Sequence, residues 1–343
     1  MDVIKVDFRE IDEQWDKDIL NYQFDIYHLS GWVEASKEID KGESKGIFAS
    51  YKNKCLFFPV LIRALDDGLW DMTSTYGYGG PVVDETLSKQ EITEVMQEVV
   101  AFLHRQGCVS WFIRLHPILN QEWSADVGTI IEHGPTLVSD LTKTEEEHWG
   151  ETQRQHRQGI KKAIKAGVTV NIEKMQKEQV PLFSSIYKET MQMVKANQYY
   201  FFDDNYFYAL CDYIPTRVLL ATAYLEGTAI ASSICTICKE SKIIQFHLSG
   251  TLNDYRKLQP SKMITHEIRA WGREAGYEYL HLGGGVGAKC DTLYDYKKGF
   301  SSNELMFKTQ RIIVNAEKYE QLALASGNDD TEAAFFPIYR QRR

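Results

Sequence analysis

Three observations predict an α/β protein with mixed sheets, arranged as two domains. The chain has 343 residues, about two domains at the usual ~100–200 residues each. Apolar or alternating runs of strand length recur between helix-period segments through both halves. In the second half the order strand, hairpin strand, helix, strand describes a mixed sheet with a helix crossing over it. With 43% hydrophobic and 25% charged residues, the composition is that of an ordinary globular protein and excludes collagen-like and low-complexity classes.

In the first half, strands are expected at 46–49 with 55–62, at 109–115 and at 128–132. Helices are expected at 31–38 and 89–106, the latter opened by Ser88 as N-cap and stopped by Gly107. At 142–152 the composition shifts to the polar TKTEEEHWGET, which places a domain boundary there: 1–145, then 146–314. The second domain reads as a strand at 168–172, helices at 180–195 and 205–213, and a strand at 217–225. A hairpin of 229–238 with 242–248 follows, then a helix at 261–275 stopped by Gly276, and a strand at 277–282. Residues 315–343 form a tail: a helix over 314–325, the polar SGNDDTE, then Phe335, Phe336 and Tyr339, which are expected to pack back on the body.

Charge is 39 basic against 48 acidic residues, a net −9, so nucleic-acid contact must be local. No run of ~18 apolar residues and no signal-like start is seen, which reads as a cytoplasmic protein without integral membrane association. The six cysteines are scattered and expected to be reduced, and Cys235 and Cys238, three apart on a strand, point to opposite faces and suit no metal. HExxH and GxxxxGK[ST] are missing, so zincin and P-loop chemistry have no support.

Three segments can carry chemistry. The first, QRQHRQGIKKAIK (153–165), has five basic residues and no acidic one. On a helix, Arg154, Arg157, Lys161 and Lys165 fall within about 80° of one another, with Ile160, Ala163 and Ile164 beside them. Such a stripe either grips phosphate or is a solvated face. The second, HLGGGVG (281–287), lets backbone approach a ligand closely, yet the following AKCDTLYDYKKGF does not read as the helix a dinucleotide site needs. The third is Tyr296-Lys297-Lys298-Gly299-Phe300, where a lysine beside a glycine-rich strand end can face an oxyanion or a phosphate. His247 and His281 fall on predicted strands, as core groups or facing a cleft.

Taken in order, these pieces resemble the GNAT-like acyltransferases of the Fem family, the aminoacyl-transferring enzymes of peptidoglycan bridges and the FemAB-like acetyltransferases of polysaccharide clusters. The resemblance spans about 20–312. It rests on YHLSGWVEA (27–35), STYGYGGPVV (74–83), FIRLHPILN (112–120), IKKAIKAGV (160–168), YKETM (187–191), FHLSGT (246–251), and HLGGG followed by DTLYDYKKGFS (281–301).

The resemblance implies two GNAT-like domains sharing a cleft, the second holding the donor site. By position it carries acceptor-phosphate binding to Arg154 and Arg157, with Tyr187, Tyr199 or Tyr200 as aromatic partners. It carries the donor end to Tyr296 and Lys297, tyrosine standing where phenylalanine is more usual, with Asp291 or Tyr296 as a proton relay. Tyr76, Tyr78, His247, Gly283 and Gly284 complete the expected substrate contacts. An amine attacking an ester or thioester needs alignment and a charge for the oxyanion more than a dedicated base. The turn that cradles the pyrophosphate of CoA in GNAT enzymes is glycine-rich, whereas 255–261 here holds no glycine. That leans toward an aminoacyl-tRNA donor and an amine-bearing acceptor, nucleotide-linked or free, in cell-wall or surface-glycan synthesis. No tightly bound cofactor, no metal and no DNA partner are expected. The alternatives are an acetyl-CoA-dependent N-acetyltransferase acting on an amino sugar and a non-catalytic GNAT-like binding protein.

Overall fold

The computed structural model describes residues 3–327 and 335–341, so most of the SGNDDTE stretch lies outside the described residues. In chain order the strands are β1 (Lys5–Arg9), β2 (Glu43–Tyr51), β3 (Lys54–Ala64), β4 (Trp70–Ser74), β5 (Val82–Val83), β6 (Cys108–Arg114), β7 (Thr129–Asp140), β8 (Thr169–Lys174), β9 (Val218–Leu225), β10 (Thr228–Cys238), β11 (Ile243–Thr251), β12 (Tyr279–Gly283) and β13 (Glu304–Ile313). The helices are α1 (Glu13–Ile19), α2 (Ser30–Ser36), α3 (Lys89–Arg105), α4 (Glu145–Glu151), α5 (Arg154–Lys165), α6 (Val180–Met193), α7 (Asp204–Tyr213), α8 (Pro260–Glu274), α9 (Thr292–Lys298) and α10 (Ala316–Ser326). Strands and helices alternate as the mixed α/β class requires. Two units divide the chain: Gly134–Leu305 is one, and the residues before and after it make the other.

In the first unit β1 to β4 form an antiparallel meander, β4 runs parallel to β6, and β6 pairs antiparallel with β13. The α3 helix starts where a capping box forms, Ser88 accepting from the Glu91 amide while the Glu91 carboxylate accepts from Ser88 N–H. Its buried face, Ile92, Val95, Met96, Val99 and Leu103, closes over Phe58, Trp111 and Ile113. Each such side chain contributes ~1.5–3 kcal/mol of transfer free energy before entropy is set against it. After β13 the chain adds α10, whose Tyr319 and Ala323 pack with Val109. Tyr339 Oη lies 2.8 Å from Ser110 Oγ. Beside it the fully buried Asp71 accepts from Arg63 Nε at 2.7 Å, Arg340 Nε at 2.5 Å and Tyr339 Oη at 3.0 Å.

The second unit orders its strands β7-β12-β11-β10-β9-β8. All neighbours are antiparallel except β11 and β12, which run parallel because α8 carries the chain back across the sheet. α5 and α8 supply Ile160, Ala163, Met263, Ile264 and Ile268 to the same core as Ala221, Ala231, Cys235 and Ile244 of the strands. α6 lies along β10 and β11, so closely that a Cβ at Gly250 would stand 2.8 Å from the Ile186 carbonyl oxygen.

Two local expectations are corrected. The segment after the glycines does form a helix, α9, because Asp291 caps it. Ile164, expected on the anchoring side of α5, is 54% exposed, while Ile160 and Ala163 are buried there together with His156 and Gly159.

Candidate active site

The second unit builds a fork in its sheet. β11 and β12 pair in parallel at Ile243 with Tyr279, Ile244 with Leu280 and Gln245 with His281, and their ladder ends there. At its last rung His281 Nδ1 and Gln245 Oε1, both buried, are 2.7 Å apart. Past it, β11 shifts register against β10 so that Phe246 faces Cys235 and Leu248 faces Ile234, leaving His247 as the extra residue of a bulge. His247 Nε2 lies 2.8 Å from the Tyr206 hydroxyl, and burial lowers its pKa to about 3, so it is a neutral imidazole.

β12 ends in the glycine-rich turn. Gly283 takes a positive φ of 74°, and a Cβ on Gly285 would stand 2.0 Å from the Lys289 carbonyl oxygen and 2.3 Å from Asp291 Oδ1. Asp291 fastens this turn to α9: Oδ1 accepts from the amides of Leu293 at 3.0 Å and Tyr294 at 2.9 Å, and Oδ2 from Val286 at 2.9 Å. Burial opposes its ionisation, yet these amides hold the carboxyl below its ordinary range. That is a capping role, and it anchors the residue expected as a relay.

The two lysines of α9 part company. Lys298 donates to the Glu304 carboxylate at 2.8 Å, and that hydrogen bond raises its pKa. Lys297 turns to the glycine turn and donates to the Gly284 carbonyl at 2.6 Å. Burial brings its pKa down to about 8, with Asp291 acting weakly the other way. Tyr296, between sheet and helices, gives its hydroxyl to Ser261 O at 2.9 Å and meets Thr265 Oγ1 at 2.9 Å, and burial lifts its pKa to about 12. Its hydroxyl anchors the start of α8.

The basic helix α5 divides similarly. Arg154, Lys161, Lys162 and Lys165 are exposed, and Lys161 lies 5.7 Å from the Trp149 ring centre. Arg157 donates to the carbonyls of Trp149 and Gly150, each at 3.0 Å, closing the end of α4. Tyr187 is buried, stacked on Phe183 and Phe202, and donates to Tyr200 O at 2.8 Å. Tyr199, 46% exposed, stands edge-on to Tyr200. Lys297, Asp291, Gly283 and Gly284 thus meet at the glycine turn, whereas the Tyr296 hydroxyl goes to α8 and Tyr187 serves the packing of α6. Tyr76 and Tyr78 belong to the first unit, where Tyr76 O accepts from Trp32 Nε1 at 2.9 Å and Tyr78 sits among Tyr27, His116 and Phe307.

Sequence reasoning missed the partners that hold α9. His156 Nε2 donates to Tyr296 O at 2.8 Å, and Arg269, 1% exposed, donates to Phe300 O at 3.1 Å and to Thr152 Oγ1 at 2.8 Å. The available signal was spacing: His156 precedes the buried Ile160 by four residues, one helical turn on the same face. Among the described residues no group of three His, Cys, Asp or Glu is disposed to hold a metal ion, and no helix is long and apolar enough to cross a membrane.

Comparison with known proteins bears on this arrangement. A family model, that of the FemAB family, matches residues 123–235. The structure of FemX superposes with a TM-score of 0.68 at 14% identity, covering 92% of this chain and 99% of that one. L-PGS from Bacillus licheniformis gives 0.56 at 13% identity, over 92% and 96% of the two chains. A conserved protein of unknown function from Bacteroides thetaiotaomicron gives 0.59 at 10%, over 90% and 100%. No curated protein sequence matches. At these identities the structures carry the fold. The Fem resemblance read from the sequence is borne out: the chain has the fold of FemX, and its residues 123–235 match the FemAB family.

Proposed function

We propose that this chain is an N-acyltransferase that moves an aminoacyl group from aminoacyl-tRNA to an amine of a cell-wall, surface-glycan or related precursor, in the cytoplasm. The observation that carries the reading is Lys297, an ammonium partly drawn from water beside a glycine-rich strand end, whose one hydrogen-bond partner among the described residues is a carbonyl. When an amine adds to an ester carbonyl, negative charge develops on the oxygen, and a cation already partly desolvated stabilises it with little reorganisation of solvent. The opened strands and bare glycine backbone supply the alignment the reaction needs.

A polyanionic donor fits the exposed residues Arg154, Lys161, Lys162 and Lys165, together with Arg256 and Lys257 on the 3₁₀ segment Asn253–Leu258, which packs against α5. The start of α8, where Gln259 has a positive φ of 61° and Pro260 follows, lacks the glycine turn that pyrophosphate recognition uses.

Incubation of the protein with charged tRNA or acetyl-CoA, and with amino-sugar and lysyl-peptide acceptors, tests the reading. Transfer from charged tRNA is expected, falling about 100-fold or more in Lys297→Ala with the fold intact. Transfer from acetyl-CoA alone would overturn the donor, full activity of Lys297→Ala the site, and binding without transfer the enzyme.

A further inference from the structure

The last carbonyls of a helix lack full partners within it, and the end of α9 is held both by its own turn, where Gly299 N–H reaches Tyr296 O at 3.2 Å and Phe300 N–H reaches Lys297 O at 3.0 Å, and by other elements. Tyr296 O accepts from His156 Nε2 at 2.8 Å, Gly299 O from the Gln153 amide at 2.9 Å, and Phe300 O from Arg269 Nη1 at 3.1 Å. The Tyr296 carbonyl is half of the peptide group whose nitrogen belongs to Lys297, so His156 grips the plane from which the Lys297 side chain departs. The same imidazole lies flush with the turn that ends α9. A Cβ on Gly299 would stand 2.3 Å from its Cε1 and Nε2, and the Phe300 ring meets it edge-on with centroids 4.8 Å apart. His156 itself is 5% exposed and sits on the helix that carries Arg154, Lys161 and Lys165.

We infer that His156 is a positioning residue: through the Tyr296 carbonyl and the Gly299 turn it fixes where the Lys297 amine points and ties that amine to the basic helix. Two features separate this from ordinary core filling. The contact is a directed hydrogen bond to the peptide of the residue it orients, and glycine at 299 is required by the ring and not by the backbone, whose φ of −65° any residue adopts. Burial keeps the imidazole neutral, its pKa lowered to about 4, so Nε2–H can donate while Nδ1 carries the lone pair. The importance of this clamp for transfer rests on the function proposed above, but the clamp itself does not.

The test therefore reads the amine directly. Trace labelling of all lysines with acetic anhydride, followed by peptide mass spectrometry, gives the reactivity of Lys297 relative to the exposed Lys239. In His156→Leu, which keeps the bulk and loses the donor, Lys297 labelling is expected to change at least about threefold, since both its exposure and its proton affinity depend on its seat. His156→Gln, with an amide nitrogen at comparable reach, is expected to restore it. Gly299→Ala should perturb Lys297 in the wild-type background and have little further effect beside His156→Ala, where the ring is gone. Unchanged Lys297 labelling in the folded variants, or additive effects of Gly299→Ala and His156→Ala, would overturn the inference. Should His156→Leu fail to fold, Gly299→Ala and His156→Gln decide it. Altered labelling in a protein that transfers nothing would leave the clamp standing and remove the proposed function. The reverse result, transfer with labelling untouched, would do the opposite.

Discussion

Asp71 in the first unit and Lys297 in the second are both charges drawn out of water, and the protein treats them in opposite ways. Asp71, with no exposed surface, is met by two guanidinium groups and a tyrosine hydroxyl. Lys297 is met by one neutral carbonyl, with Asp291 acting only at a distance. A buried charge that is fully answered holds structure together, because any change leaves its partners exposed to the same desolvation cost. A buried charge that is under-answered keeps its field for something else, which is the mark of a working group.

The sharpest way to break the comparison is at Asp71. Asp71→Asn strands Arg63, Arg340 and the tail they hold, and should cost about 3 kcal/mol in urea unfolding. A loss below about 1 kcal/mol would mean the arginines simply turn to solvent and the answered charge is no keystone.

Lys297→Met should move stability by no more than about 1 kcal/mol at pH 7, in the stabilising direction, because the half-buried ammonium is a burden there. The sign follows from its pKa, about 8 in the folded protein against 10.5 as the ordinary value. Between those values the unfolded chain binds more protons, so wild-type stability rises with pH across that window, and the gap to Lys297→Met closes. Unfolding curves at pH 7 and pH 10 that differ equally for the two proteins would deny Lys297 its burial. Under the proposed chemistry, transfer that depends on the ammonium declines as pH passes about 8.

The smallest effect is expected one residue on. Lys298→Met removes an exposed pair with Glu304 and should leave the melting midpoint where it was and transfer within about twofold of wild type. A large loss of transfer there would mean the two lysines have been assigned the wrong way round.

That exchange of roles marks the limit of what could be read from residue order. Strand and helix positions followed from periodicity and capping: α3 begins and ends where Ser88 and Gly107 say, and the β10–β11 hairpin and α8 lie where alternation and Gly276 place them. The glycine turn and Lys297 came together as expected because they are close in sequence. Pattern alone did not separate Lys297 from Lys298, and it was the family resemblance that picked Lys297; what separates them physically is Glu304 on the next strand, a contact set by the fold. α9 was unreadable for a similar reason. Seven residues hold little periodicity, and its start depends on Asp291 bonding amides on both sides of itself. Asp71 gave no sign at all, because two of its partners, Tyr339 and Arg340, lie over 260 residues away. Long-range pairing of this kind is invisible to local rules.

The route of the chain through its two units has a consequence for how the molecule comes into being. β13 pairs with β6 and is followed by the helix and tail that lock onto Asp71, yet the β13 residues that pair with β6, and all that follow, are encoded after Gly134–Leu305. A ribosome releases the whole second unit as one unbroken stretch, which can complete its sheet while synthesis continues. The first unit emerges earlier but must wait, its β6 edge unpaired, until residues 306–341 leave the exit tunnel. During that interval the half-built first sheet presents β6 as an open strand edge, the kind of edge that pairs wrongly unless it is covered.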